Sequence, residues 1–329
     1  MLTKHLSKLQ IAHLPTPLEP LPRLSEALGG PAIWIKRDDQ TGLAGGGNKT
    51  RKLEYLVAAA KAENADTLIT GGAPQSNHCR QTAAAAARTG LRCVLILDGI
   101  EPETATGNII LDRLLGAEIV WAGDLSRDAA MQATFERESQ RGNKPYLVPY
   151  GGSSPVGASG YVAAMEELAQ QMADLQLSAF QHILFASSSG GTHAGIALGA
   201  CATDMTSVVL GISVDEPHDV LTQRVARIAN ETAALLNVSS SFSAADIHAN
   251  SDYLGEGYAM MGEVEAEAIR LFAECEGILI DPVYTSRAAA GMIDLIRGGE
   301  FDSQERILFW HTGGTPALFV PRYAQVLAN

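Results

Sequence analysis

The sequence predicts an α/β fold of two open, parallel-sheet units, each layered helix, sheet, helix. Three observations carry that expectation. Short apolar runs such as Cys93–Leu97 and His182–Phe185 alternate with helical segments, as in sheets whose strands are buried on both faces. Polar turns rich in glycine, serine or asparagine follow several of these runs. The length of 329 residues suits about two domains, and 46% hydrophobic content with mean hydropathy +0.05 suits a soluble chain with a sizeable core.

Taken in order, Pro15-Thr16-Pro17-Leu18 begins extended, because each proline fixes its own φ and biases the residue before it away from helix. A short helix is expected over Pro22–Leu28, with proline tolerated in its first turn. β-Branched and aromatic residues make Ala32–Lys36 a strand, which Arg37-Asp38-Asp39 ends with charge. Beyond a glycine loop, a helix runs from Lys52 to about Glu63 and a strand over Thr67–Thr70. An alanine-rich helix over Gln81–Arg88 and a strand over Cys93–Leu97 follow. A helix around Ile109–Leu115, a strand at Glu118–Trp121, a helix over Arg127–Gln140 and a strand from Tyr146 complete a first compact unit. Gly151-Gly152-Ser153-Ser154-Pro155 is the clearest break. After it come a helix over Gly160–Met172, strands at His182–Phe185, Val208–Val214 and Ile307–Trp310, and helices over Thr192–Ala200, Leu221–Leu235, Glu263–Cys275 and Ser286–Ile296. No internal repeat is present.

The net charge of −13, from 24 basic and 37 acidic residues, argues against nonspecific attachment to nucleic acid or to an anionic membrane. The four cysteines are scattered, with no CxxC pair or histidine spacing of a zinc site, so no metal is expected. No apolar run approaches the ~18 residues of a membrane span, and residues 1–18 lack the apolar region of a secretion signal. A cytoplasmic protein is expected.

The chemistry gathers in the turns. Gly45-Gly46-Gly47-Asn48-Lys49 sets a lysine behind glycines that allow positive φ and close ligand approach, at the start of a helix. It is not a nucleotide-hydrolase phosphate loop, because Asn48 stands where glycine must precede the lysine. Ser187-Ser188-Ser189-Gly190-Gly191-Thr192-His193 follows an apolar strand and opens a helix, so backbone N–H groups, hydroxyls and the helix N-terminus combine as an anion cradle; an ordinary N-capped turn has the same letters. Gly71–His78 occupies the same position after an earlier strand, and Ser76 and Asn77 serve either a ligand or the turn itself. Ile278-Leu279-Ile280-Asp281-Pro282-Val283-Tyr284-Thr285 and Phe309-Trp310-His311-Thr312-Gly313-Gly314 also run from apolar to polar. In an open parallel sheet such turns converge on one crevice. A lysine, an anion cradle and hydroxyls in one crevice suit pyridoxal phosphate, whose aldehyde needs an amine.

These same motifs, with Lys36-Arg37-Asp38-Asp39, Gly46-Gly47-Asn48-Lys49-Thr50-Arg51-Lys52-Leu53-Glu54 and Gln75-Ser76-Asn77-His78, resemble the tryptophan synthase β-like, fold-type II pyridoxal phosphate enzymes. Within that class they resemble the D-cysteine desulfhydrase and 1-aminocyclopropane-1-carboxylate deaminase group, over nearly the whole chain. The resemblance implies that Lys49 bonds covalently to the cofactor, that Asn77 lies beside its phenolic oxygen, and that Ser76 meets the substrate carboxylate. Ser188, Ser189, Gly190, Gly191 and Thr192 would hold the phosphate, with Lys52 as an additional contact. Tyr284 and Tyr258 match two tyrosines that face substrate. A large cofactor-binding domain of residues 1–51 and 161–329, a smaller inserted domain of residues 52–160, and a homodimer are implied as well.

Thr285 and Thr312 stand where the deaminases carry glutamate and leucine, so the resemblance leans to the desulfhydrases. A neutral hydroxyl near the pyridine nitrogen does not favour its protonation, whereas a carboxylate would. That suits β-elimination of sulfide from D-cysteine, giving pyruvate and ammonia, better than opening a cyclopropane ring. Lys49 and Tyr284 are the expected proton carriers. L-Cysteate sulfo-lyase, the ring-opening deaminase and a non-catalytic small-molecule-binding protein are the alternatives.

Overall fold

The computed structural model describes residues 1–328; Asn329, the last residue of the expected large domain, lies outside them. The strands are β1 (Leu18–Pro20), β2 (Ala32–Arg37), β3 (Thr67–Gly72), β4 (Arg92–Leu97), β5 (Glu118–Trp121), β6 (Pro145–Leu147), β7 (His182–Ser187), β8 (Val208–Ser213), β9 (His248–Asn250) and β10 (Arg306–His311). The helices are α1 (Pro22–Leu28), α2 (Lys49–Ala62), α3 (Asn77–Thr89), α4 (Asn108–Leu114), α5 (Arg127–Gln140) and α6 (Pro155–Asp174). They continue with α7 (Gly191–Ala202), α8 (His218–Leu236), α9 (Glu263–Glu276), α10 (Thr285–Arg297) and α11 (Pro321–Leu327).

Two sheets result. One has the order β1-β2-β10-β7-β8-β9, parallel except for β1, which pairs antiparallel with β2 at the edge. The other, β5-β4-β3-β6, is parallel throughout. Strand periodicity explains why these runs read as continuously apolar. In β10, Ile307 and Phe309 pack under α9 and α10, while Leu308 and Trp310 face the opposite core with Tyr161 and Met165 of α6. In β3 and β4, Leu68, Cys93 and Leu95 pack on the alanines of α3, whereas Ile69, Val94 and Ile96 meet Ala130 and Met131 of α5. Successive side chains thus enter opposite cores, and both must be apolar.

Several boundaries differ from the sequence expectation. The three-residue strands β1 and β9 are too short to carry an alternating pattern, and Pro20 is tolerated in β1 because that strand is an edge. Helix α3 begins at Asn77 because Ser76 caps it, its hydroxyl accepting from Cys79 N at 3.2 Å. Helix α6 begins at Pro155, capped by Ser154. The apolar run Ile278–Ile280 is not a strand; it links α9 to α10, with Leu279 49% exposed between buried neighbours.

A buried charge network fixes α2 against the six-stranded sheet. Arg51 Nε and Nη2 donate to Asp38 Oδ2 and Oδ1, each at 2.9 Å, and its Nη1 and Nη2 reach Glu167 of α6 at 3.0 and 2.8 Å. Lys36 donates to the same Glu167 carboxylate, to Gln171 and to the Thr16 carbonyl. No helix among the described residues is long and apolar enough to cross a membrane.

Candidate active site

Lys49 is the first residue of α2, and the loop before it is shaped by glycine. Gly46 has φ +71°, and a Cβ there would lie 1.8 Å from the Asp39 carbonyl oxygen, so no side chain fits. Asn48 bonds the loop to other turns, its backbone N–H to the Thr312 carbonyl at 2.9 Å and its amide to Thr192 Oγ1 at 3.1 Å. Lys49 Nζ donates to the Gly151 carbonyl at 3.3 Å. Burial lowers its pKa to about 8, opposed by the hydrogen bond with Lys52 and the charge of Asp215.

Opposite the amine lies the turn between β7 and α7. Gly190, the N-cap of α7, takes φ +87°, which turns the chain so that the first-turn N–H groups of α7 face outward without intrahelical acceptors. Ser153 Oγ accepts from Gly191 N at 3.0 Å and donates to Ser189 Oγ at 2.8 Å. Ser188 Oγ donates to Asp215 Oδ2, also at 2.8 Å. Burial raises the Asp215 pKa, and its Oδ1 is buried without a partner.

A cleft open to solvent lies between these elements. Lys49, Ser76, Asn77, Ser188, Ser189, Gly190, Thr192, Tyr284 and Thr312 line it. Gly191 lies in the same turn. Tyr258 stands behind Tyr284, with the two hydroxyl oxygens 2.5 Å apart, and burial raises both pKa values. Tyr284 is aimed by Asp281, whose carboxylate accepts from the N–H groups of Val283, Tyr284 and Thr285.

Besides Tyr258 and Gly191, two more of the expected residues, Thr285 and Lys52, do not line the cleft. The Thr285 hydroxyl is buried and committed to Asp281, donating to Oδ1 at 2.6 Å and accepting from the backbone N–H at 2.8 Å. Lys52 is fully buried beside the cleft, donating to the Gly151 carbonyl at 3.1 Å, with its pKa lowered by burial and by Lys49. Conversely, Tyr150 and Asn48 line the cleft and were not expected there. Asp215 and Ser153, bonded to cradle serines, also went unpredicted. Tyr150 had one sequence signal, its place between the β6 run and the Gly151-Gly152 break. His78 and His193, present in the quoted motifs, line the cleft as neutral rings: burial lowers both pKa values, that of His193 to about 3.

The arrangement offers a desolvated amine, an anion cradle at a helix N-terminus, and phenol and carboxamide groups between them. The family model described as "Pyridoxal-phosphate dependent enzyme" matches residues 9–313. A D-cysteine desulfhydrase of Salmonella choleraesuis (strain SC-B67) is 45% identical over 318 residues, 95% of each chain. A solved structure titled as an ACC deaminase homologue superposes with TM-score 0.91 at 37% identity, covering 99% of this chain and 97% of that one. A fungal L-serine ammonia-lyase from Rhizomucor miehei shares the fold, with TM-score 0.69 at 18% identity over 96% of this chain and 98% of that one.

Proposed function

Because the chain belongs to the pyridoxal-phosphate dependent enzymes, we propose that it is a carbon-sulfur β-lyase that converts D-cysteine to pyruvate, ammonia and hydrogen sulfide. The observation that carries the site is the half-buried Lys49 amine, its pKa lowered by desolvation, sharing one cleft with the Ser188–Thr192 turn. The residues present fit pyridoxal phosphate: glycine at 190 and 191 leaves the cradle free of side chains there, and a Cβ at Gly191 would lie 2.7 Å from Ser153 Oγ. When bound, the cofactor supplies an aldehyde for amines and a ring that takes up electron density released at the substrate α-carbon.

Lys49 would hold the cofactor covalently and, once displaced by substrate, carry the α-proton on Nζ; a pKa near 8 suits that exchange at neutral pH. Ser76, at the N-terminus of α3, would receive the substrate carboxylate, and Asn77 the phenolic oxygen. Ser188, Ser189, Gly190, Gly191 and Thr192 would hold the phosphate, with Lys52 acting from beneath through Gly151. Tyr284, supported by Tyr258, would protonate the departing sulfur. Thr312 would meet the ring edge as a neutral hydroxyl, and Thr285 would act there through Asp281.

A thiol is favoured over a sulfonate because cations near the cleft already have partners: Arg127 is paired with Asp98, Arg224 with Glu216, and Lys52 with a carbonyl. We further read residues 1–51 and 161–329 as the cofactor-binding domain and 52–160 as the inserted domain of a cytoplasmic homodimer. An exposed apolar cleft between Ile110, Leu111, Pro316 and Phe319 supports self-association.

The test is pyruvate release from D-cysteine, L-cysteine, L-cysteate and β-chloroalanine, with ketobutyrate release from 1-aminocyclopropane-1-carboxylate measured in parallel. D-Cysteine should give the highest kcat/KM, and turnover of the cyclopropane alone would reject the lyase reading. Lys49→Ala should lose the visible absorbance of bound cofactor and all turnover; a surviving band would reject Lys49.

A further inference from the structure

Arg80 is a guanidinium buried to 0% exposure whose hydrogen bonds do not go to a carboxylate. Its Nη1 donates to Asn77 Oδ1 at 3.0 Å and to Asn108 Oδ1 at 2.9 Å, and its Nη2 donates to the Gly46 carbonyl at 2.8 Å. Its Nε has no partner, and Asp112, which with Asp281 attracts it, keeps both carboxylate oxygens buried and unpartnered. A buried cation is costly unless its donors are used, so donors spent on two carboxamides and a loop carbonyl call for a purpose other than ion pairing.

The hydrogen-bond logic is directional. A guanidinium has only donors, so Asn77 and Asn108 must both turn their oxygens to it. Asn108 is then left with its Nδ2, which donates to Asn77 Oδ1 at 2.9 Å and to the Gln75 carbonyl at 2.7 Å. Asn77 Oδ1 therefore receives two donors, and its Nδ2 is the half of the amide left to face the cleft. The same Arg80 holds Gly46, in the loop that carries Lys49, so one side chain sets both the amide and the lysine loop.

Building on the reading that this cleft takes pyridoxal phosphate, we propose that Arg80 and Asn108 are positioning residues that lock the Asn77 amide with its nitrogen toward the cofactor. Asn77 can then only donate to the ring oxygen, which favours that oxygen as an anion. The cofactor's electronic state, and not only its residence, depends on a residue pair that does not touch it.

Asn108→Asp tests this, because it still accepts from Arg80 but turns an acceptor toward Asn77 Oδ1, so that the Asn77 amide can satisfy Arg80 and residue 108 together in neither orientation and loses its fixed setting. The readouts are the visible absorption maximum of the loaded protein and the pyridoxal phosphate dissociation constant, in the native and Asn77→Ala backgrounds. Asn108→Asp should shift the maximum and weaken binding roughly tenfold, the scale of one polar contact turned unfavourable. Both effects should vanish in the Asn77→Ala background, as they must if Asn108 acts through Asn77. Asn108→Ser, which removes the donor without adding charge, should give a smaller loss with the same dependence on Asn77, and serves if the aspartate variant fails to fold. An unchanged spectrum and affinity in the folded variants, or equal losses in both backgrounds, would overturn the lock. If Asn77→Ala itself changes neither readout, the assignment of Asn77 to the cofactor fails together with the lock.

Discussion

At the scale of single residues, Lys49 ties local structure to pH. Its amine is taken from water by the cleft, and burial favours the neutral form against the pull of Asp215. Only the neutral amine attacks an aldehyde. With a folded-state pKa of about 8, below the ordinary lysine value, the neutral fraction rises with pH through that point and falls on the acid side. The rate of pyridoxal phosphate capture by the cofactor-free protein should drop about tenfold per pH unit below this value and level off above it. Stopped-flow absorbance from about pH 6 to about pH 9 would measure it, and a flat profile below the pKa would exclude Lys49 as the capturing amine.

At the scale of elements, two turns bring the amine and the cradle together, and they tolerate side chains differently. At Gly190 an added Cβ meets Ile228 and Val225 at 3.4 Å, ordinary contact, so the cost is the left-handed backbone alone. Gly190→Ala should lose about 1–2 kcal/mol, seen as roughly tenfold weaker cofactor binding with the fold intact. Gly46→Ala drives a Cβ into the Asp39 carbonyl, so the lysine loop must move and affinity should fall much further. Equal effects in a titration of the two purified variants would contradict this ordering. The elements themselves were largely readable, because strands buried on both faces leave continuous apolar runs and glycine turns mark their ends. Three-residue β1 and β9 leave no such pattern. The start of α3 was hidden because Ser76, Asn77 and His78 read equally as loop. The loop shapes were readable where backbone geometry demands glycine, as at Gly46 and Gly190. The site was not readable where a role depends on distant partners: Tyr150 meets the cleft and Asp215 its serine Ser188 only through the fold, and Thr285 is withdrawn by Asp281.

At the scale of the whole molecule, the Asp38–Arg51–Glu167–Lys36 network joins β2, α2 and α6. Burial opposes ionisation of Asp38, but the Arg51 guanidinium and Lys36 outweigh it, so its pKa is lowered; Glu167 is lowered in the same way by Arg51 and Lys36. A carboxylate whose folded pKa lies below its unfolded value adds stability above the ordinary carboxylate range and loses it as pH falls through the folded value. The protein should therefore lose stability on acidification below about pH 4. Glu167→Gln should cost about 3 kcal/mol at neutral pH by leaving Lys36 and Arg51 underpaired, and should flatten the acid dependence. Urea denaturation at several pH values would check both, and an unchanged acid profile would remove Glu167 from the network's energetics. The position of β10 carries a further consequence for synthesis. The β3–β6 sheet uses one continuous stretch of chain and can form while the ribosome is still at work, but β10 lies between β2 and β7, in the middle of the other sheet. Until residues 306–311 have emerged, β2 and the lysine loop it leads into have no neighbour across that gap, so a nascent chain cannot assemble its cofactor pocket early and the final strand acts as the closing stitch.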